Sequence, residues 1–171
     1  AKMTKYSEHS VLLFLPESDF SEAEYLTIKK RLEKKGYKVF ITSDAVTVCK
    51  GDRGLRVKPD VKLMNIKEAN FSSFVLIGGK GVQKYFDNEM LHNALLRFRG
   101  AKKKTAAICA APVIFARAGL LQNIPATCHP SYATELKAGR AEFKDQQVVV
   151  AGSIITARDY EASVPFADAL L

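Results

Sequence analysis

The segment from Ser10 to Thr42 leaves this chain little choice of architecture. Ser10 to Pro16, Ser-Val-Leu-Leu-Phe-Leu-Pro, is an unbroken apolar run of strand length. A strand apolar on both sides must be covered on both faces, as in parallel sheets flanked by helices. Ser18, Asp19 or Ser21 can cap the helix that follows, with Glu22 and Glu24 in its first turns, where carboxylates oppose the helix dipole. Leu26, Ile28 and Leu32 give it an imperfect apolar stripe, and Gly36 ends it after Lys34 and Lys35. Tyr37 to Thr42 is a second strand. Strand, helix and strand in this order form a βαβ crossover, whose strands should be parallel.

The rest of the chain repeats the alternation. Ala45 to Cys49 and Leu55 to Val57, around Gly51 and Gly54, suggest a small antiparallel excursion at one edge. Phe74 to Ile77 is a third buried strand, ending in Gly78-Gly79-Lys80-Gly81, where the backbone can approach a ligand closely. That cluster is not a phosphate loop, because neither G-x-x-x-x-G-K-[ST] nor G-x-G-x-x-G is present. Asn88 to Arg99 reads as a helix with Met90, Leu91, Ala94, Leu95 and Phe98 on its apolar face. Strand Thr105 to Ile108 and helix Val113 to Ala118 follow, the latter ended by Gly119. Then come a short segment at 126–130, a polar helix from Ser131 to Lys137, and strands Gln146 to Ala151 and Ile154 to Ala157 across Gly152-Ser153. A last helix begins at Tyr160. The expected fold is α/β: a doubly wound, mostly parallel, flavodoxin-like sheet sandwiched by helices, as a single domain over 1–171.

Composition narrows the setting. The 171 residues are 47% hydrophobic and 26% charged, ordinary values for a globular protein. No apolar run approaches the roughly 20 residues of a membrane span, and the amino-terminal stretch through His9 lacks the pattern of a secretory signal. The three cysteines, Cys49, Cys109 and Cys128, have no C-x-x-C spacing. A reduced, cytoplasmic compartment is therefore expected. The net charge of +8 raises nucleic-acid binding. However, Lys29-Lys30-Arg31 and Lys34-Lys35 share a helix with glutamates, and no aromatics interleave with Lys102-Lys103-Lys104. Solvated lysine faces are the better reading, with no nucleic acid and no membrane as partners.

Lys104 to Pro112, Lys-Thr-Ala-Ala-Ile-Cys-Ala-Ala-Pro, carries the chemistry. A strand ends in a thiol flanked by small residues, and a proline then opens a helix: the layout of a nucleophile elbow. The helix N-terminus should favour thiolate over thiol at Cys109; the alternative is a buried cysteine acting as a small hydrophobe. In a doubly wound sheet, ligands bind where the strands' carboxyl ends meet a switch in strand order. Residues 19–24, Gly78-Gly79, Cys109 and His129 all fall at that edge. His9 and His92 read as surface residues, and Cys49 and Cys128 as non-catalytic. The histidines and cysteines have no metal-ligand spacing, so no metal is expected.

These residues resemble the ThiJ/PfpI superfamily, related to the class I glutamine amidotransferase domain, across essentially the whole chain. The most specific match is Ala106-Ala-Ile-Cys-Ala-Ala-Pro112, similar to the family's A-x-C-[AH]-[GA]-P elbow. Leu76-Ile-Gly-Gly79, Ser21-Glu-Ala-Glu24 and His129-Pro130 support it. The resemblance implies that Cys109 is the nucleophilic or oxidisable thiol and Glu24 the carboxyl bonded to it. It implies that Gly79 and Ala110 supply an oxyanion hole, and that His129 matches a histidine of the Parkinsonism-associated deglycase branch. PfpI-type peptidases carry histidine directly after the cysteine; Ala110 stands there here, which argues against proteolysis. The glycine-rich turn of the deglycase branch is replaced by Ala157-Arg-Asp-Tyr-Glu-Ala, a change of charge and bulk at the pocket rim.

The expected function is a cofactor-independent cysteine enzyme, hydrolase or lyase, of the glyoxalase or deglycase type. Its substrates would be small reactive carbonyls or their early adducts on amino groups. The alternatives are a redox-sensing stress or chaperone protein using the same cysteine, a PfpI-type intracellular peptidase, and a binding domain without chemistry. The family resemblance also implies a homodimer, to which the excursion at 45–58 could contribute.

Overall fold

The computed structural model describes residues 7–171. Residues 1–6, part of the stretch read above as carrying no signal, lie outside them. In chain order the elements are β1 (Ser10–Phe14), β2 (Ser18–Phe20), α1 (Glu22–Lys34), β3 (Lys38–Ser43), β4 (Cys49–Gly51), β5 (Arg56–Val57), β6 (Val61–Lys62) and β7 (Ser73–Leu76). There follow α2 (Glu89–Gly100), β8 (Lys104–Ile108), α3 (Pro112–Arg117), β9 (Pro125–Ala126), α4 (Ala133–Ala138), β10 (Glu142–Phe143), β11 (Val148–Ala151), β12 (Ile154–Ala157) and α5 (Ser163–Asp168).

The main sheet has seven strands in the order β11-β12-β8-β7-β1-β3-β6. Every pairing in it is parallel except the β11–β12 hairpin. The chain leaves β1 through α1 to β3 on one side, then returns to place β7 on the other. The switch in strand order therefore lies between β1 and β7. Alternate residues of the central strands feed opposite faces, as a pleat requires. Val11, Leu13, Val75 and Ile108 pack under α1 and α5, in one cluster with Ile28, Leu32 and Phe166. Leu12, Phe14, Phe74 and Leu76 pack beneath α2 and α3, with Leu95, Phe98 and Phe115. The doubly wound, flavodoxin-like α/β expectation holds.

Local chemistry explains the helix limits. Ser21 caps α1, its Oγ accepting the Glu24 N–H at 3.2 Å, and Asn88 caps α2, its Oδ1 accepting from Leu91 N–H at 2.9 Å. Gly36, with φ 89°, turns the chain out of α1.

Several details depart from expectation. Tyr25, Ile28 and Leu32 form the buried stripe of α1, while Leu26 is exposed; the i, i+3, i+7 spacing leaves Leu26, rotated about 100° from Tyr25, off the face that meets the sheet. Met90 is likewise exposed on α2. The excursion after β3 is not an edge of the main sheet. β4 pairs antiparallel with β5 and parallel with β2, making a separate three-stranded sheet, so Cys49 is fully buried. The short segment at 126–130 holds only the end of β9, and Cys128 lies beyond it. The last helix is delayed: a 3-10 turn over Tyr160–Ala162 precedes α5. Among the described residues, no helix is long and apolar enough to cross a membrane.

Candidate active site

The loops after β1, β7, β8 and β12 meet at the carboxyl edge of the sheet, around the switch point. β8 ends at Ile108 and α3 starts at Pro112, so the chain reverses within Cys109-Ala110-Ala111. Cys109 takes φ 66°, the left-handed region that side chains normally avoid. Its backbone is held from two directions. The Cys109 N–H donates to the Ala157 carbonyl at 3.0 Å, and its own carbonyl accepts the His129 N–H at 2.9 Å.

Glu24 arrives from the first turn of α1 and is 3% exposed. Its Oε1 accepts the Gly78 N–H at 3.0 Å, and its carboxyl also hydrogen-bonds the Ser21 hydroxyl and the Cys109 thiol. Gly78 has no room for a side chain. A Cβ there would lie 2.7 Å from the Cys109 Cβ and 2.8 Å from Glu24 Oε1. Glycine is what lets acid and thiol touch. Gly79, at φ 114°, presses against the β1–α1 loop, and its absent Cβ would fall 2.5 Å from the Asp19 carbonyl oxygen.

Electrostatics correct one expectation. Burial, then the negative charge of Glu24, push the Cys109 thiol up to about 12, rather than down toward thiolate. The helix that was to favour thiolate is short, six residues long, and the donors that reach the sulfur are the N–H groups of Ala110 and Gly79. They oppose the upward push without overcoming it. Burial also raises Glu24 to about 7, against bonds from Gly78, Ser21 and Cys109 that favour its carboxylate. Near neutrality, therefore, the proton that comes and goes belongs to the Glu24–Cys109 pair. Cys128 is also raised to about 12, by burial, with its Sγ 3.2 Å from the His129 carbonyl oxygen.

His129 stands beside this pair through its backbone. Its Nδ1 accepts the Ser131 N–H at 3.2 Å, opening the 3-10 turn Pro130–Tyr132. That bond leaves Nε2 to carry the proton in the neutral ring. Tyr132 packs edge-on to the His129 ring and accepts a hydrogen bond from Gln83 Nε2 at 2.6 Å, forming a polar lip. His92, expected at the surface, is partly buried with Nε2 2.8 Å from the Phe86 carbonyl oxygen. No group of three or more potential metal ligands gathers among the described residues.

The model of the DJ-1/PfpI family matches residues 9–171. The chain belongs to the DJ-1/PfpI family. A deglycase of the family from Pyrococcus horikoshii is 28% identical over 147 residues, 86% of this chain and 89% of that one. A glutathione-independent glyoxalase from Caenorhabditis elegans is 26% identical over 161 residues, 94% of this chain and 86% of that one. The crystal structure of a ThiJ/PfpI domain protein from Brachyspira murdochii superposes with a TM-score of 0.92 at 28% identity, covering 95% and 94% of the two chains.

Cys109, Glu24 and the N–H groups of Gly79 and Ala110, all expected from the sequence at one site, lie together. The sequence did not single out Asp159, which stands two residues beyond Ala157, the backbone partner of Cys109, and whose negative charge acts on Glu24. The signal was present in the substituted glycine-rich turn, but only the fold brings that loop to α1.

Proposed function

We propose that this protein is a cofactor-independent glyoxalase or deglycase in which Cys109 and Glu24 act as one proton-sharing unit. The observation that carries this reading is the Glu24 carboxyl, raised to about 7 and bonded to the thiol of Cys109. A general base works best when its pKa lies near the working pH. Glu24 takes the thiol proton while Sγ bonds to the aldehyde carbon of methylglyoxal or glyoxal, so no standing thiolate is needed. The N–H groups of Gly79 and Ala110, which meet the sulfur at rest, would receive the developing oxyanion.

The hemithioacetal oxygen takes the proton held by Glu24. Glu24 then removes the proton from the hemithioacetal carbon as His129 Nε2–H donates to the second oxygen; Glu24 delivers its proton to the neighbouring carbon while the first hydroxyl gives its proton back to His129 Nε2 and becomes the carbonyl. The product is a thioester on Cys109. Water cleaves it, releasing lactate or glycolate and restoring the thiol. An aminocarbinol adduct would enter by the same addition and release the amine. The relatives named deglycase and glyoxalase support this substrate class. Ala110, in the position where peptidases of the family carry histidine, counts against proteolysis.

Incubation with methylglyoxal should yield lactate, and Cys109→Ser should reduce turnover by at least about 100-fold. Turnover unaffected by that change would sink the proposal. A redox role draws on the same proton: protonated Glu24 would donate to the oxygens of a sulfinate on Cys109. Mass spectrometry after mild peroxide separates the two, since the redox reading requires Cys109 to oxidise ahead of Cys49 and Cys128. A homodimer in a cytoplasmic compartment completes the proposal.

A further inference from the structure

Two loops meet the elbow and hold donors for it. The loop after β7 abuts Cys109 so closely that a Cβ on Gly78 would lie 2.7 Å from the Cys109 Cβ. It carries the Gly79 N–H and runs straight into the 3-10 helix Lys80–Tyr85. The loop after β9 is joined to Cys109 by the His129 N–H bond to its carbonyl, and closes as the 3-10 turn Pro130–Tyr132. In the reaction proposed above, the Gly79 N–H would meet the first oxygen of the substrate and His129 Nε2 the second.

Tyr132 joins these loops. Its hydroxyl lies 2.6 Å from Gln83 Nε2, 49 residues away in sequence. Its ring stands edge-on to the His129 imidazole, with centroids 6.5 Å apart and planes at 73°. On another side it meets Phe86 edge-on at 5.9 Å, and the Arg117 guanidinium covers Phe86, also at 5.9 Å. Arg117 is itself held by Asp87 and Glu135, each at 2.9 Å. A ring in edge-on contact with two others, with its far end tied, has one orientation open to it. The 3-10 turn does not need this side chain in order to form. Its backbone is closed by the Tyr132 N–H bond to the His129 carbonyl at 2.9 Å and the Ser131 N–H bond to His129 Nδ1 at 3.2 Å. What the Tyr132 side chain adds is the plane of the imidazole and its spacing from the Gly79 loop. His129, Tyr132 and Cys109 are all only partly buried, so a small molecule can reach them.

We infer that Tyr132 is a positioning residue: packed on the His129 ring and bonded to Gln83, it holds His129 Nε2 at a fixed distance from the Gly79 N–H, and so favours carbonyl compounds with a second oxygen on the adjacent carbon. This deepens the glyoxalase reading and rests on it for the roles of His129 and Gly79. Two donors that drift apart cannot both bond the adjacent oxygens of one small molecule. Misplacing such a group by about 1 Å can cost roughly a hundredfold in rate.

The test is reversible protection of the Cys109 thiol from iodoacetamide by two aldehydes of one shape. Glycolaldehyde has a hydroxyl oxygen beside its aldehyde; propionaldehyde has a methyl there. Each adds to the thiol, Sγ bonding to the aldehyde carbon while the thiol proton passes to the oxygen, and neither has a second carbonyl into which the adduct could rearrange. For each protein the readout is the ratio of half-protecting concentrations, propionaldehyde over glycolaldehyde, followed by mass spectrometry of the Cys109 peptide. Relative to the wild type, Tyr132→Phe and Gln83→Ala should each lower that ratio about fivefold, as for one neutral hydrogen bond lost. The double variant should lower it no further, since both changes cut the same tether, and His129→Phe should lower it at least as much. A merely structural disturbance would weaken both aldehydes together and leave the ratio fixed. A ratio unchanged in the two single variants or in His129→Phe, or losses that add in the double variant, overturns the inference. If Tyr132→Phe does not fold, Gln83→Ala, at an exposed position, decides. Lowered ratios in a protein that makes no lactate from methylglyoxal would uphold the positioning and defeat the glyoxalase reading; lactate with fixed ratios would do the reverse.

Discussion

At the amino end of the sheet, Lys103 is buried, its Nζ donating to the carbonyl oxygens of Glu68 and, at 2.7 Å, Phe71. At the carboxyl end Glu24 is buried more deeply still, but one of its partners is the Cys109 thiol. Both groups pay for leaving water, and burial shifts each toward its neutral form: Lys103 down, Glu24 up. The partners make the difference. Backbone carbonyls do not titrate, so Lys103 is a fixed strut closing the loop between Glu68 and Phe71. A thiol does titrate, so the proton of Glu24 can move. The amino end also has a hollow of about 530 Å³, between residues such as Tyr37, Glu68, Lys102 and Lys104. Space alone does not mark the reactive end; a mobile proton does.

The strongest attempt to break this contrast is Glu24→Gln. Losing the base should cost turnover of methylglyoxal a factor of roughly 10² to 10⁴. It should also abolish the rise of kcat/KM with pH, which in the wild type should centre near pH 7 as the Glu24 carboxylate forms. A variant with the same pH limb would return Glu24 to a structural role like that of Lys103.

The second consequence is thermodynamic. Glu24 releases its proton near 4.5 when unfolded and near 7 when folded. Between those values the native state binds more protons, so its stability falls as pH rises, by about 3 kcal/mol in total. Denaturant midpoints from pH 4 to 8 should show this fall in the wild type and lose it in Glu24→Gln.

A pair of glycines sharpens the comparison. Gly78→Ala forces a methyl between Cys109 and Glu24 and should cost about 1–3 kcal/mol while separating the pair. Gly100, at the end of α2, has nothing within 4 Å of the place a Cβ would occupy. Gly100→Ala should stabilise by about 0.5–1 kcal/mol and leave turnover alone. Lastly, Lys103→Met should lower stability by about 1–3 kcal/mol, because two carbonyls lose their donor, without moving the pH limb. Equal effects on activity from both ends would erase the distinction.

Much of this is readable from residue order. The apolar runs that become β1, β7, β8 and β12 are unmistakable because both faces of each strand are covered. The elbow shows in Cys109 with its small neighbours, and the family resemblance singles out Glu24. What stays hidden has physical reasons. β2, β4 and β5 are too short to display a two-residue period, so their separate sheet reads as an edge. Lys103 reads as one more solvated lysine because its carbonyl acceptors sit more than thirty residues away in sequence. The direction of the Cys109 shift depends on how much water the fold removes against how many N–H groups it aims at sulfur, a balance that exists only in three dimensions.

Burial raises the thiols of Cys49, Cys109 and Cys128 alike, and all are unpaired. Folding thus leaves little standing thiolate at any of the three, so that Cys109 reacts only by passing its proton to Glu24, while an opened chain offers each with an ordinary thiol pKa of about 8.5. In mildly alkaline, oxidising solution, mispaired disulfides would form from the opened population and trap it there. How long a sample survives would then be a matter of how often molecules open, so oxidant, and not heat alone, would decide whether unfolding can be undone.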